Sequence, residues 1–338
     1  MQNRRYVLVQ HTDKAPIEEC VAWRTDLIPT PGPGEVLTRT LLLSVDPANR
    51  GWMSSTPPSY IKGVGIGDTV RCSSIDEVVE SRHPDFRPGD VVEAMSGWQD
   101  YAVAAGHALR KIEPRGELAL EFSLYGLSGL TAYVGLMDIG RPKPGETLFV
   151  SAAAGSVGTI VGQLAKAAGC RVVGSAGSDA KCRWLVDELG FDAAVNYKDG
   201  PLRKRLREAC PAGIDIYFDN TGGEALQAAV LLANERARIV CCGVISRWTN
   251  DGPDQGIRGI PGLIAMKSML MQGFIVFDNL HRRNEAFGVL GRLAADRRLK
   301  VKDDLVEGLE NAPRALAGLF AGQNMGKRII RVAERSAA

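Results

Sequence analysis

The chain has 338 residues, 45% hydrophobic and 24% charged, which is typical of a globular protein with two domains. Its net charge of +2, with both signs interleaved, predicts no nucleic-acid surface, and no apolar run approaches the ~20 residues of a membrane span. Seven scattered cysteines and an N-terminus without an apolar segment indicate reduced thiols and a cytoplasmic location.

The first part of the chain, up to residue 122, is rich in short β-branched runs separated by glycine-proline turns. Strands are predicted at 36–46 and 75–83 and within 90–105. Loops are predicted at Pro31–Gly34, Pro57–Pro58 and Pro88–Asp90. This part therefore reads as a small, mostly β domain.

From residue 123 the pattern changes to an alternation of strands and helices. Strands are predicted at 148–152, 171–176, 193–197, 214–220, 237–243 and 270–277. A helical period follows the first of them and stops at Gly169, and Ser178 caps the next helix. This alternation predicts a doubly wound parallel sheet, the Rossmann class of α/β fold.

Two later segments stand apart from this pattern. Residues 249–262 are rich in glycine and proline and are predicted to form a lid over a pocket. Residues 311–334 are predicted to add one more helix and an apolar strand.

A phosphate-binding turn is predicted where the first parallel strand meets its helix. The spacing Ala153-x-Gly155-x-x-Gly158 replaces the first glycine of the dinucleotide pattern by alanine. Gly155 lets the backbone approach a pyrophosphate, and Gly158 lets the helix pack closely on the strand. The free N–H groups of that helix then attract the phosphates. The alternative is a merely tight turn, but the strand–turn–helix–strand context favours nucleotide binding.

The end of the second parallel strand indicates which dinucleotide binds. An NAD site places a carboxylate there, whereas this chain has Gly174–Ser178, with no acid before Asp179. Small residues leave room for a 2′-phosphate, and Lys181 with nearby hydroxyl groups would bind it. The alternative is that Lys181 is a solvated helix lysine. The pattern favours NADP(H).

Several motifs together resemble a known family. They are SVDP near residue 45, AAAGSVG, GSDAK, Asn196-Tyr197-Lys198, FDNTGG, CCGVIS, QGFIVF and Asn324-Met325-Gly326-Lys327. In this order they are similar to the zinc-independent medium-chain dehydrogenase/reductases of the leukotriene hydroxydehydrogenase and prostaglandin reductase group, which includes curcumin reductases and alkenal double-bond reductases. The resemblance implies a GroES-like catalytic domain at 1–122, completed by 313–338, and a Rossmann NADP-binding domain at 123–312.

The resemblance also implies a set of cofactor-binding residues. They are Gly155, Ser156, Val157 and Gly158 at the pyrophosphate; Ser178, Lys181 and Tyr197 at the adenosine end with its 2′-phosphate; Asn220 beneath the cofactor; Cys242, Gly243, Val244, Ile245, Ser246 and Trp248 beside the nicotinamide; Phe274, Ile275 and Val276 at its carboxamide; and Asn324 closing over it. Taken singly, Tyr197 and Phe274 also fit a surface ring and a core ring.

The sequence predicts no metal site. Leu43–Pro47, where a zinc dehydrogenase would carry its first ligand, has no cysteine, and the four histidines lack ligand spacing. A nicotinamide can still deliver hydride to a C=C bond conjugated to a carbonyl, provided that a donor stabilises the charge on the carbonyl oxygen. Tyr60 is the predicted donor, and the alternative is a tyrosine that only shields the pocket.

The predicted substrate pocket departs from the family pattern. Relatives carry SVDPYMR where this chain has Ala48 and Asn49, and Trp248 and Met266 replace expected tyrosines. The predicted activity is reduction of enones or enals, with a quinone reductase or a non-catalytic NADP(H) sensor as alternatives. The resemblance further implies a homodimer whose two nucleotide-binding sheets join edge to edge.

Overall fold

The computed structural model describes residues 2–13, 15–248 and 259–336. The chain divides into two units, one formed by residues 1–122 with 303–338 and the other by residues 123–302. Elements are numbered along the chain. In the described part, no helix is both long and apolar enough to cross a membrane.

The first unit is built mainly from antiparallel strands. These are β1 (Gln2–Leu8), β2 (Val21–Leu27), β3 (Glu35–Ser44), β4 (Ser74–Ser81), β5 (Val91–Ala94), β6 (Tyr101–Ala105), β7 (Arg110–Lys111), β14 (Asp303–Glu307) and β15 (Lys327–Arg331). The main sheet has the order β14-β15-β3-β4-β5-β7, with β6 also paired to β3, and β1 pairs with β2. Its apolar core includes Leu41, Ile75 and Phe122. The helices are α1 (Pro47–Trp52), α10 (Ala312–Phe320) and, at the boundary of the units, α2 (Leu120–Ser123).

The second unit is a parallel sheet with helices between its strands. Its strands are β8 (Thr147–Val150), β9 (Arg171–Ala176), β10 (Ala193–Asn196), β11 (Ile214–Asp219), β12 (Ala233–Cys241) and β13 (Leu270–Gly273). Its helices are α3 (Leu127–Val134), α4 (Ser156–Ala167), α5 (Asp179–Asp187), α6 (Leu202–Ala209), α7 (Gly223–Leu232), α8 (Ile260–Met266) and α9 (Arg283–Ala295). The sheet order is β10-β9-β8-β11-β12-β13. The core on one side stacks Phe149 on Tyr217 with ring centroids 4.9 Å apart. The predicted fold class, a Rossmann sheet with a separate β-rich unit, is confirmed.

Local sequence signals place several element ends correctly. Strand β9 spans the predicted residues 171–176. Ser178 caps α5, because its hydroxyl accepts a hydrogen bond from the N–H of Lys181 at 3.3 Å. Gly169 follows α4 with φ of 83°, a left-handed conformation that suits glycine at a helix end.

Several predicted strands run two or more residues past the observed ends, and two of these overruns fall in the cofactor crevice. The strand predicted at 270–277 ends at Gly273, because its partner β12 ends at the paired residue Cys241. Val276 instead begins a helical turn, Val276–Arg282. The predicted strand at 237–243 likewise ends at Cys241. Most of the predicted lid, residues 249–258, lies outside the described residues, and its end belongs to α8.

Candidate active site

The carboxyl ends of the parallel strands form one edge of the second unit. The predicted cofactor residues of this unit follow these strand ends: β8 leads to Gly155, β9 to Ser178, β10 to Tyr197, β11 to Asn220, β12 to Cys242 and β13 to Phe274. The chain runs from β8 outward through β9 and β10, then returns to the other side of β8 for β11. A crevice at such a reversal is where doubly wound sheets bind their ligands. The fold therefore brings these residues to one edge.

The start of α4 has the features of a diphosphate site. Its N-cap is Gly155, and no side chain caps the helix, so the first N–H groups are available to an anion. The hydroxyl of Ser156 is buried without a hydrogen-bond partner in the described part of the chain. A Cβ on Gly158 would lie 2.5 Å from the carbonyl oxygen of Ala152. Ala152 has a φ of 48°, and its carbonyl accepts the N–H of Gly155 at 2.9 Å. These observations fit a bound dinucleotide.

The end of β9 offers small and polar groups. A Cβ on Gly177 would lie 3.1 Å from the hydroxyl oxygen of Tyr197, so this ring lies beside the turn before α5. Tyr197 is exposed, and the ammonium of Lys198 lies 5.9 Å from its ring centroid. The carboxylate of Asp179 accepts a hydrogen bond from the amide of Asn196 at 2.8 Å. Lys181 lies in the first turn of α5, half-buried. This arrangement fits a phosphate on the adenosine ribose.

A buried carboxylate at the end of β11 organises the next turn. Asp219 is 3% exposed, and its Oδ1 lies 2.7 Å from the hydroxyl of Tyr217 and 3.4 Å from that of Ser151. The same oxygen accepts the backbone N–H groups of Thr221 at 2.9 Å and of Gly222 at 2.7 Å. Burial raises the pKa of the Asp219 carboxyl, and these hydrogen bonds oppose that shift. The sequence did not predict this network, although Tyr217 and Asp219 lie two positions apart on the same face of a predicted strand.

Asn220 connects the turns that follow β8 and β11. Its side-chain amide donates to the carbonyl of Ser151 at 2.8 Å, and its backbone N–H donates to the Ser151 hydroxyl at 3.0 Å. The N–H groups of Cys242 and Gly243 donate to the carbonyl of Asp219 at 2.9 and 3.0 Å. The ends of three strands are thereby fixed to one another at the predicted cofactor crevice.

The segment after β12 forms the short helical turn Ile245–Trp248. The hydroxyl of Ser246 donates to the carbonyl of Thr221 at 2.5 Å, which ties this turn to the β11 end. Val244 is exposed. The side chain of Trp248 lies outside the described residues.

The segment after β13 is held by aromatic packing and one side-chain amide. A Cβ on Gly135 would lie 2.8 Å from ring atoms of both Phe274 and Phe218, so the Phe274 ring packs against the backbone after α3. The carbonyl of Ile275 accepts the amide of Asn279 at 3.0 Å. Val276 begins the helical turn that follows. Met266, predicted for the substrate pocket, ends α8 and is 77% exposed.

The predicted residues of the first unit lie in and around α1. Ala48 lies half-buried in the first turn, whereas Asn49 is buried and both its polar groups bond within the unit. Its oxygen accepts the N–H of Asp46 at 2.8 Å, and its amide donates to the carbonyl of Arg71 at 3.2 Å. Asn49 therefore completes the capping box of α1, whose N-cap is Asp46, a role that the sequence did not predict.

The two remaining predicted residues of this unit are Tyr60 and Asn324. Tyr60 is 41% exposed, and its hydroxyl oxygen lies 3.4 Å from the indole nitrogen of the buried Trp52. The amide of Asn324 donates to the carbonyl of Gly326 at 3.1 Å. Among the described residues, no three His, Cys, Asp or Glu side chains gather into a possible metal site.

Two protein-family models match parts of this chain. A family model described as the N-terminal domain of oxidoreductase matches residues 4–112, and one described as zinc-binding dehydrogenase matches residues 156–294. Over 338 residues the chain is 42% identical to the NADPH-dependent curcumin reductase of Escherichia coli (strain K12), which covers 98% of this chain and 97% of that protein. It is 40% identical over 305 residues to the 2-alkenal reductase (NADP(+)-dependent) of Nicotiana tabacum, covering 89% and 88% of the two chains.

A solved structure is similar along the whole chain. The crystal structure of CurA in complex with NADPH from Vibrio vulnificus matches with a TM-score of 0.93 and 39% sequence identity, covering 98% of this chain and 99% of that one. The chain therefore belongs to the medium-chain dehydrogenase/reductase family, in the group of curcumin, alkenal and prostaglandin reductases that its motifs indicate.

Proposed function

We propose that this NADPH-dependent oxidoreductase reduces the C=C bond of α,β-unsaturated ketones or aldehydes without zinc. The observation that carries the proposal is the uncapped start of α4 at the strand-order reversal, next to a β9 end that has Gly177 and Ser178 in place of a carboxylate. The names of the similar curcumin and 2-alkenal reductases support the substrate class. The absence of a cysteine from Leu43–Pro47 supports chemistry without zinc.

The predicted cofactor residues of the second unit, apart from Trp248, have roles in this proposal. The N–H groups of Ser156, Val157 and Gly158 bind the diphosphate, and Gly155 leaves room for it. At the adenosine end, the 2′-phosphate is bound by the hydroxyl of Ser178, by Lys181 and by Tyr197. Asn220 and the turns Cys242–Ser246 and Phe274–Val276 bound the nicotinamide half.

The protein contributes orientation and a hydrogen-bond donor. NADPH, when bound, supplies the hydride that reduces the β-carbon of the conjugated double bond. The negative charge that develops on the substrate carbonyl oxygen needs a donor. We assign that donor to the hydroxyl of Tyr60, whose exposed position leaves it accessible to a substrate. The α-carbon then takes a proton from solvent or from this hydroxyl.

A turnover assay tests the proposed reaction. The purified protein is mixed with NADPH and a panel of enals, enones and quinones, and loss of the reduced nicotinamide is followed by absorbance. The proposal expects turnover with enals and enones, with product analysis finding the saturated carbonyl compound. Turnover of quinones alone would replace the proposal by a quinone reductase. NADPH binding without turnover of any compound would indicate the non-catalytic alternative.

Replacing the proposed donor tests its role. Tyr60→Phe should lower kcat by about tenfold or more, because the developing charge loses its hydrogen bond, while the Kd for NADPH stays unchanged. Tyr6→Phe is the matched control, since the hydroxyl of Tyr6 donates to the carbonyl of Glu310 within the same unit. An unchanged kcat in Tyr60→Phe would remove Tyr60 from the reaction.

We further propose that the protein is a homodimer joined through the β13 edges of two copies. Strand β13 is the last strand in the order of the described sheet, and its residue Leu270 is exposed. Helix α8 reads IPGLIAM, yet none of its residues is buried. A strand edge with no partner in the described sheet, preceded by a helix whose apolar residues are only partly buried, is a typical surface for association with a second chain.

A further inference from the structure

The loop that carries Tyr60, residues 54–63, has no helix or strand of its own. It is fixed at its start, because the hydroxyl of Ser54 donates to the carboxylate of Asp13 at 2.5 Å and the N–H of Ser55 bonds the same carboxylate. It is fixed at its end, because the N–H of Val64 donates to the carbonyl of Trp52 at 2.8 Å. The ends of the loop are therefore held by groups outside it.

The middle of this loop folds back on itself. A Cβ on Gly63 would lie 2.8 Å from the ring of Pro57, so the two arms of the loop touch. The N–H of Ile61 donates to the carbonyl of Pro58 at 3.3 Å, which closes a turn with Ser59 and Tyr60 at its centre. The backbone of the turn thus determines where the Tyr60 side chain starts.

The orientation of the hydroxyl involves Trp52. This tryptophan ends α1, is 3% exposed, and has its indole N–H directed at the hydroxyl oxygen of Tyr60, with 3.4 Å between nitrogen and oxygen. An indole nitrogen can only donate a hydrogen bond, so the Tyr60 oxygen is the acceptor. The Tyr60 hydroxyl therefore gives its own proton to an acceptor other than the indole.

We propose that Trp52 is a positioning residue for Tyr60. Its indole N–H donates a hydrogen bond to the phenol oxygen. This contact directs the hydroxyl proton of Tyr60 toward the carbonyl oxygen of the unsaturated substrate. The same residue holds the end of the loop through its backbone carbonyl, so Trp52 acts both on the position of the loop and on the donor direction of Tyr60. This inference rests on the proposed function, in which Tyr60 is the donor to that oxygen.

The contact itself is tested without turnover. The chain has five tryptophans, and ¹⁵N–¹H spectra of the full-length protein resolve their indole N–H groups. The spectrum of Trp52→Phe identifies the Trp52 indole resonance, because that resonance is missing there. The same resonance should move more than the other indole resonances in Tyr60→Phe, because Tyr60→Phe removes the acceptor oxygen. Tyr60 is 41% exposed and Tyr60→Phe removes only its hydroxyl, so this variant should keep its fold even if Trp52→Phe is destabilised. A Trp52 resonance unchanged by Tyr60→Phe would overturn the inference and leave the proposed reaction untouched.

The effect on catalysis is tested by a double-mutant cycle with an enone substrate. Trp52→Phe keeps an aromatic ring but removes the donor, and it should lower kcat by about fivefold while KM for NADPH stays unchanged. In the Tyr60→Phe background the same substitution should lower kcat no further, because the group that it positions is already gone. Trp23→Phe, on β2 of the same unit, is the control and should leave kcat unchanged.

Two kinetic outcomes would overturn the positioning role. A wild-type kcat in Trp52→Phe would show that Tyr60 needs no such partner. An equal loss in both backgrounds would mean that Trp52 acts through packing alone. Failure of the wild-type protein to reduce any enone would instead contradict the proposed function, and the indole spectra would then still decide whether Trp52 orients Tyr60.

Discussion

Gly158→Ala is the substitution that most directly tests the diphosphate site. The added Cβ would lie 2.5 Å from the carbonyl oxygen of Ala152 and 2.8 Å from the Cα of Ala153. Ordinary contacts begin at 3.4 Å, so the first distance is too short by about 0.9 Å. Both neighbours are backbone atoms and cannot rotate away. The first turn of α4 must therefore shift relative to the strand-to-helix turn.

The size of the effect follows from two opposing contributions. Overpacking costs about 1–3 kcal/mol, and the better helix propensity of alanine offsets up to about 1 kcal/mol of it. We expect a net loss of about 1–2 kcal/mol in the free energy of unfolding, or a few degrees in Tm. The shifted N–H groups of the first turn lose charge-assisted hydrogen bonds to the diphosphate, which should weaken NADPH binding by about tenfold or more.

The assay combines thermal unfolding without ligand with titration of the NADPH fluorescence. Gly288→Ala on α9 is the matched control, because its Cβ would meet nothing closer than the Arg292 side chain at 3.6 Å. This control should keep the wild-type Kd and match or exceed the wild-type Tm. If Gly158→Ala binds NADPH as tightly as the wild-type protein, the assignment of the diphosphate to the start of α4 is refuted.

Three further predictions concern cofactor choice, pH and assembly. Lys181→Ala should raise the Kd for NADPH far more than that for NADH, since only NADPH carries the 2′-phosphate; equal losses would show that Lys181 does not bind it. Burial opposes ionisation of Asp192, but hydrogen bonds from the N–H of Val172 and from Lys166 outweigh it and lower the pKa of this carboxyl. The stability that ionised Asp192 contributes is therefore present above the ordinary pKa of the group and is lost as the pH falls through the lower pKa of the folded protein. Asp192→Asn should lower Tm at neutral pH, and the difference from the wild-type protein should shrink below about pH 4. A pH-independent difference in Tm would contradict this. Leu270→Arg should convert the proposed dimer to a monomer in light scattering, and an unchanged mass would place the interface elsewhere.

The sequence predicts those parts of the fold that depend on neighbouring residues. The span of β9, the Ser178 cap and the glycine after α4 follow from patterns within a few positions, and the structure confirms all three. Long-range pairing decides the rest. Residues 90–105 contain two strands, β5 paired to β4 and β6 paired to β3. They are interrupted at Gly97, where φ is 78° and a Cβ would lie 2.5 Å from the carbonyl of Val70.

The same limit applies to side chains in the site. Asn49 stands where the family pattern SVDPYMR has methionine, and the sequence alone favours a polar pocket group there. The structure shows a buried helix cap, because the N–H of Asp46 and the carbonyl of Arg71 lie on either side of its amide. The carbonyl of Arg71 comes from a segment 22 residues away, so no local pattern could predict this contact.

The buried Asp219 belongs to a hydrogen-bond network beside the proposed nucleotide site. Its carboxylate orders the turn after β11, and Asn220 then bonds both polar groups of Ser151, directly before the turn that leads to α4. The turns after β8 and β11, which lie on either side of the strand-order reversal, are therefore connected by hydrogen bonds within the protein. Turns connected in this way need little reordering when a dinucleotide binds, because networks of buried hydrogen bonds are rigid and reduce the entropy lost on binding. Ala153 is tolerated at the first position of this turn because its φ is not positive, so the backbone there does not require glycine.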